Sequence, residues 1–211
     1  MKKSAGVFLG AFLLLIWLPP VQAQYEMVPG YHEHDGFYLR FQFGYGSGKM
    51  VEKELPGGDM TLSGAAGAFR FQIGSSIAEN LVLFGEMGGG VVSNPQMEWG
   101  ENSHDLGNTR LSIMDFGAGL TYYFMPSNIY ICGSITLSKN QFEHDNITAE
   151  TKNGAGACLS VGKEWWVGAD WGLGLAGFFS FSNPKDVDSE TNREYPITNT
   201  VVGLVFSATY Q

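Results

Sequence analysis

Five charged side chains stand where charge is least expected, inside stretches that otherwise alternate bulky apolar residues with Gly, Ala, Ser and Thr. They are Arg40, Arg70, Glu86, Asp115 and Glu164, accompanied on the same small-residue rows by Gln42, Gln72, Tyr123 and Tyr130. In an enclosed space isolated charges are too costly, so this set is expected to pair into salt bridges and hydrogen bonds. The same residues would also suit a gated path for small solutes. Acid–base or nucleophilic catalysis finds less material. The four histidines, His32, His34, His104 and His144, all fall in a leader or in long polar connections. A Ser–His pair on a strand is therefore missing, and no catalytic residue is assigned.

Metal and redox chemistry are equally thin. His32, Glu33, His34 and Asp35 form a compact group of ligand types but read as a solvated leader ahead of the first strand. Asp186, Asp188 and Glu190 alternate in the last long connection without the Gly and closing Glu of an EF-hand loop. No metal and no cofactor is expected. Cys132 and Cys158 lie on the small-residue faces of neighbouring segments and are a candidate disulfide in an exported chain.

The chain that must position these groups has 211 residues, 29 of them Gly, with 14% aromatic and only 16% charged residues. A formal charge of −9 argues against nucleic acid, which demands clustered Lys and Arg. Met1-Lys2-Lys3, the apolar run Ala5–Leu18, Pro19-Pro20 and Val21-Gln22-Ala23 make up a secretory signal peptide over residues 1–23. The remainder, 24–211, is read as one domain. None of its segments is apolar for the ~18 residues of a membrane helix.

Period-two alternation predicts eight strands, at about 37–46, 64–77, 81–92, 110–124, 129–138, 154–166, 171–181 and 199–210. In the first, Phe37, Leu39, Phe41, Phe43 and Tyr45 share one face; Tyr38, Arg40, Gln42 and Gly44 share the other. Tight turns at Ala78-Glu79-Asn80, Met125–Asn128 and Val167–Asp170 alternate with long, net acidic connections at about 47–63, 93–109, 139–153 and 182–198. Short and long connections thus gather at opposite ends. Volume then decides which face is inside. An eight-stranded barrel is just wide enough to be filled by side chains, and the bulky rows far exceed its interior. The bulky rows must face lipid, the small polar rows the lumen, and a lipid-bathed sheet has to close. Lys163 falls on the lipid row near the short-turn end, where it can snorkel.

Three stretches carry a family resemblance: His34-Asp35-Gly36-Phe37-Tyr38-Leu39-Arg40, Gly117-Ala118-Gly119-Leu120-Thr121-Tyr122-Tyr123-Phe124-Met125-Pro126 and Gly162-Lys163-Glu164-Trp165-Trp166. With them the chain resembles the eight-stranded outer-membrane β-barrels of Gram-negative bacteria, of OmpA, OmpX and OmpW type, and in particular a group of such barrels in delta-type proteobacteria. The resemblance implies an all-β, antiparallel up-and-down transmembrane barrel in the cell outer membrane. It also implies contact with outer-membrane lipids and lipopolysaccharide, and passage through the outer-membrane assembly machinery. Such barrels usually end on an aromatic residue, whereas this chain ends Tyr210-Gln211. The functional expectation is a monomeric, non-enzymatic barrel with a plugged lumen and a structural or adhesive role. A narrow channel for small or apolar solutes is the alternative, ahead of a lipid-modifying enzyme.

Overall fold

The computed structural model describes residues 34–145, 147–188 and 191–211. The signal peptide, His32, Glu33 and Glu190 lie outside the described residues.

Eight long strands form the wall: β1 (Phe37–Glu52), β2 (Met60–Ala78), β3 (Leu81–Ser93), β6 (Thr109–Phe124), β7 (Ile129–His144), β9 (Lys152–Trp166), β10 (Trp171–Val187) and β11 (Glu194–Tyr210). Three short strands, β4 (Gln96–Trp99), β5 (Asn102–Asp105) and β8 (Ile147–Glu150), belong to the connections. Each wall strand pairs antiparallel with its neighbour, and β1 closes on β11 from Leu39↔Tyr210 to Glu52↔Ile197. The closing seam is tight. A Cβ on Gly46, which pairs with Gly203, would lie 2.0 Å from the Val202 carbonyl oxygen, so only glycine fits there.

Asn80 and Asn128 adopt positive φ in two of the short turns, a conformation asparagine tolerates better than most residues. Outward rows are bare: Phe43, Tyr45, Ile135 and Phe206 expose 65%, 68%, 76% and 72% of their surface, which identifies the lipid face. Trp171 packs edge-on to Tyr210 and Tyr122 to Phe124 beside the short turns, as an interfacial girdle should. Lys163 belongs to the outward row yet is 9% exposed, its Nζ resting 5.8 Å above the Trp165 ring.

At the opposite end the wall runs further than its apolar pattern. Strand β1 continues to Glu52, β2 begins at Met60, β7 reaches His144 and β10 reaches Val187. Connections read as long loops shrink to 53–59, 94–108, 145–151 and 188–193, and two of these carry the short strands. The extended part stands above the apolar belt, where outward residues such as Lys49, Lys139 and Lys185 are polar. Backbone pairing persists there because closure below already fixes the register.

Candidate functional site

The lumen divides into a polar lower half and an apolar mouth. Strand β1 aims its even-numbered residues inward and β11 its odd-numbered ones, so Arg40 faces Thr209 and Gln42 faces Ser207. Arg40 is fully buried and its Nη2 lies 3.0 Å from Glu164 Oε1, brought across the barrel from β9. Glu164 also accepts from Thr209 Oγ1 at 2.6 Å, Ser207 Oγ at 3.2 Å and the Tyr123 hydroxyl at 3.2 Å. Tyr130 covers the guanidinium, its ring 4.2 Å from Cζ.

A second cluster follows toward the mouth. Arg70 Nη1 is 3.2 Å from Glu86 Oε1 and its Nη2 3.9 Å from Asp115 Oδ2. Gln72 Nε2 donates to Glu86 Oε2 at 3.0 Å, and Ser134 Oγ donates to Oε1 at 2.5 Å. Phe178, which the alternation leaves off the bulky outward rows, faces inward and lies 5.9 Å from the Arg70 Cζ. The five charged residues singled out from sequence therefore form two separate groups, each with its countercharge.

Cys132 and Cys158 both enter this region as free, buried thiols. The candidate disulfide is not formed, for a reason of register: Cys132 pairs with Ser160 and Cys158 with Ser134, one step apart. Diagonal cross-strand neighbours stand well beyond the ~3.8 Å Cβ separation of a disulfide.

The short-turn end is closed by residues that reading from sequence placed in a solvated leader. His34 is 1% exposed, stacked at 3.5 Å on Tyr123, with Nε2 2.7 Å from Asn128 Oδ1 and Nδ1 in contact with the Gln211 side chain. Gln211 Nε2 donates to the Tyr123 hydroxyl at 3.0 Å. The non-aromatic last residue thus serves as part of a floor. Burial lowers the His34 pKa below its ordinary value. The leader reading fails because stacking on Tyr123 exists only once the barrel has closed.

The outer mouth is built differently. Asn140 and Asn199 exchange hydrogen bonds at 2.7 and 3.1 Å, and Asn199 Nδ2 donates to Ser182 Oγ at 3.0 Å, bridging β7, β11 and β10. At this bridge begins a cavity of about 170 Å³. Met50, Met60, Leu62, Met97, Leu111 and Ile197 supply much of its apolar wall, and Glu52 and Asp186 also line it. Glu52 is 7% exposed. Among the described residues, neither carboxylate has a Lys or Arg within salt-bridge distance, whereas Glu150 at the rim is paired with Lys139. Burial, with Asp186 adding its negative charge, pushes the Glu52 carboxyl up to about 7. The inward parity of β1 leads from Gly48 to Met50 and Glu52, a signal available in the sequence but hidden by the polar residues between them.

The fold is that of the eight-stranded outer-membrane barrels. Neisserial surface protein A is similar at a TM-score of 0.53 and 13% identity, over 82% of this chain and 96% of that one. The outer-membrane protein AlkL, solved in lipid bilayers, is similar at a TM-score of 0.51 and 14% identity, over 90% and 96%. No family model matches the chain. No curated protein matches it either.

Proposed function

We propose that this chain is a non-conducting, non-enzymatic barrel of the outer membrane, in contact with outer-membrane lipids and lipopolysaccharide. Its lower half is a structural plug, and its outer end is presented at the cell surface. It reaches the membrane through the assembly machinery and stands there as a monomer. The apolar outward rows support the membrane setting. The observation that carries the closed lumen is the crossing of the barrel by Arg40 and Glu164, both fully buried and both ringed by hydroxyls. An ion would have to displace a charge-assisted network in a low-dielectric interior, which costs several kcal/mol.

Planar-bilayer recording tests this reading. The purified barrel should give no steady conductance, and the pair Arg40→Ala with Glu164→Ala should open one. Steady single-channel conductance by the unaltered protein, altered by Arg70→Ala or Glu86→Ala, would establish a narrow conduit instead. A gel of unboiled against boiled protein checks beforehand that the closed barrel has formed, because the folded form migrates differently.

A further inference from the structure

We infer that the cavity at the outer mouth is a binding site for a small amphiphilic cation, an ammonium group on an apolar body of about six carbons. The ammonium would sit between Glu52 and Asp186, and the body against Met50, Met60, Leu62 and Met97.

Three features of the mouth converge on that chemistry. The first is size: at about 170 Å³ the space compares with an apolar cavity of ~150 Å³ that holds benzene. The second is lining. Three methionines on β1, β2 and β4 offer flexible, polarisable side chains that adapt to an irregular apolar guest. The third is charge. Glu52 is more than nine-tenths buried, lines the space and has no cationic partner among the described residues. In this same barrel Arg40 and Glu164, buried as deeply, pair with each other. An unpaired buried carboxylate beside a second one is costly unless it is protonated or a cation arrives. The raised pKa of Glu52 records that cost.

A hard divalent ion fits the site poorly. Calcium takes about six to eight oxygen ligands; Glu150 is already paired with Lys139, and beside Glu52, Asp186, Asn140 and Thr151 the rest of the wall is methionine, aliphatic and phenylalanine carbon. A neutral apolar guest would leave Glu52 without a partner. The site lies above the plug and exists whether or not the lower lumen conducts.

The test uses the full barrel in lipid nanodiscs with ¹³C-methyl-labelled methionine, titrated with benzylamine, benzyl alcohol, benzoate and calcium. Benzylamine should shift the methyl signals of Met50, Met60 and Met97, at least tenfold more tightly than benzyl alcohol and with benzoate inactive. Glu52→Gln and Asp186→Asn should each weaken benzylamine about tenfold and leave benzyl alcohol unchanged. Asp186→Asn, partly exposed, carries the test should Glu52→Gln fail to give a heat-modifiable barrel. Equal affinity for amine and alcohol, amine binding indifferent to both substitutions, a response to calcium but not to amine, or no response at all would overturn the assignment.

Discussion

The lower lumen buries Glu164, Glu86 and Asp115, the outer mouth buries Glu52 beside a half-buried Asp186, and the two regions treat their acids in opposite ways. Glu164, Glu86 and Asp115 each face an arginine, and hydroxyls of Thr209, Ser207 and Ser134 take up further oxygen lone pairs. Glu52 and Asp186 face methionine and isoleucine. Charge enclosed with its partner locks a structure, while charge enclosed without one holds a place for something else. The wall explains how both occur in one cylinder. Below, small residues such as Gly44, Gly46 and Gly88 leave room for long side chains to cross the lumen and meet. Above, methionine and leucine fill the wall itself and no arginine points inward.

Breaking a pair in the lower half should show the largest effect. Glu164→Gln leaves the Arg40 guanidinium buried without an anion, and loss of one partner of a buried pair costs about 3–5 kcal/mol. Urea-induced unfolding in lipid vesicles should register that loss. Replacing both residues, Arg40→Met with Glu164→Leu, should recover much of it, since two apolar groups leave no orphaned charge. Equal destabilisation by the single and the double variant would mean the network acts through hydrogen bonds to Tyr123 and Thr209 rather than through its ion pair.

The mouth should lose stability as pH rises from 4.5 to about 7. The folded pKa of Glu52 is about 7 against an ordinary 4.5, so the folded form binds the proton more tightly. The resulting penalty is absent below pH 4.5, grows as pH rises and is complete above about 7, where it amounts to at most about 3 kcal/mol. Asp186 and the Glu150–Lys139 pair are the other ionisable groups lining or bordering this space. Glu52→Gln should therefore raise stability at pH 8, leave it unchanged at pH 4.5 and flatten the slope between. A slope unaltered by Glu52→Gln would move the titration to Asp186 and weaken the contrast between the two halves.

The same contrast shows what could be read from the amino-acid order. Lower-half residues announce themselves because Arg40, Arg70, Glu86, Asp115 and Glu164 interrupt rows of alternating small and bulky residues, and alternation fixes which way each one points. What alternation cannot state is who meets whom. Arg40 and Glu164 meet only through closure, whereas Arg70 meets Glu86 across the β2–β3 hairpin and Asp115 one strand further on. The mouth was illegible for a different reason. Above the lipid belt the outward row turns polar, period two loses its apolar mark, and residues 47–52, 60–63 and 182–187 look like loop. Met97 and Phe142 reach the cavity from a connection hairpin and from the top of β7, so no local window contains the site.

Smaller than the effect in either half is the salt dependence of the rim. Glu194 is exposed and its pKa is lowered by Lys185 at 2.8 Å and Lys152 at 3.3 Å. Exposed pairs of this kind contribute little, and salt screens them. Glu194→Gln should barely change unfolding, and raising ionic strength to 1 M should erase what difference there is. A larger cost would mean that the connection 188–193 depends on this clasp.

The smallest expected effect sits at the floor and tests whether the lower half is wholly indifferent to pH. Burial lowers the pKa of His34 and outweighs the hydrogen bonds to Gln211 and Asn128, which favour the charged ring, so proton uptake works against the stack on Tyr123. Glu164 favours the protonated ring and Arg40 opposes it, and both lie near enough to matter. For a group whose folded pKa is lowered, stability is present above the unfolded value near 6.5 and fades as pH falls below it. Acidification to pH 5 should then loosen residues 34–36 locally while the wall stays folded. Hydrogen exchange reads this directly, because the Ser76 amide donates to the Gly36 carbonyl at 2.8 Å and its exchange, corrected for the pH dependence of the intrinsic rate, should accelerate at pH 5. His34→Gln should remove the acceleration. Were exchange at Ser76 insensitive to pH in both proteins, the floor would be held by Gln211 and Tyr123 alone, and His34 would be a passenger in the stack.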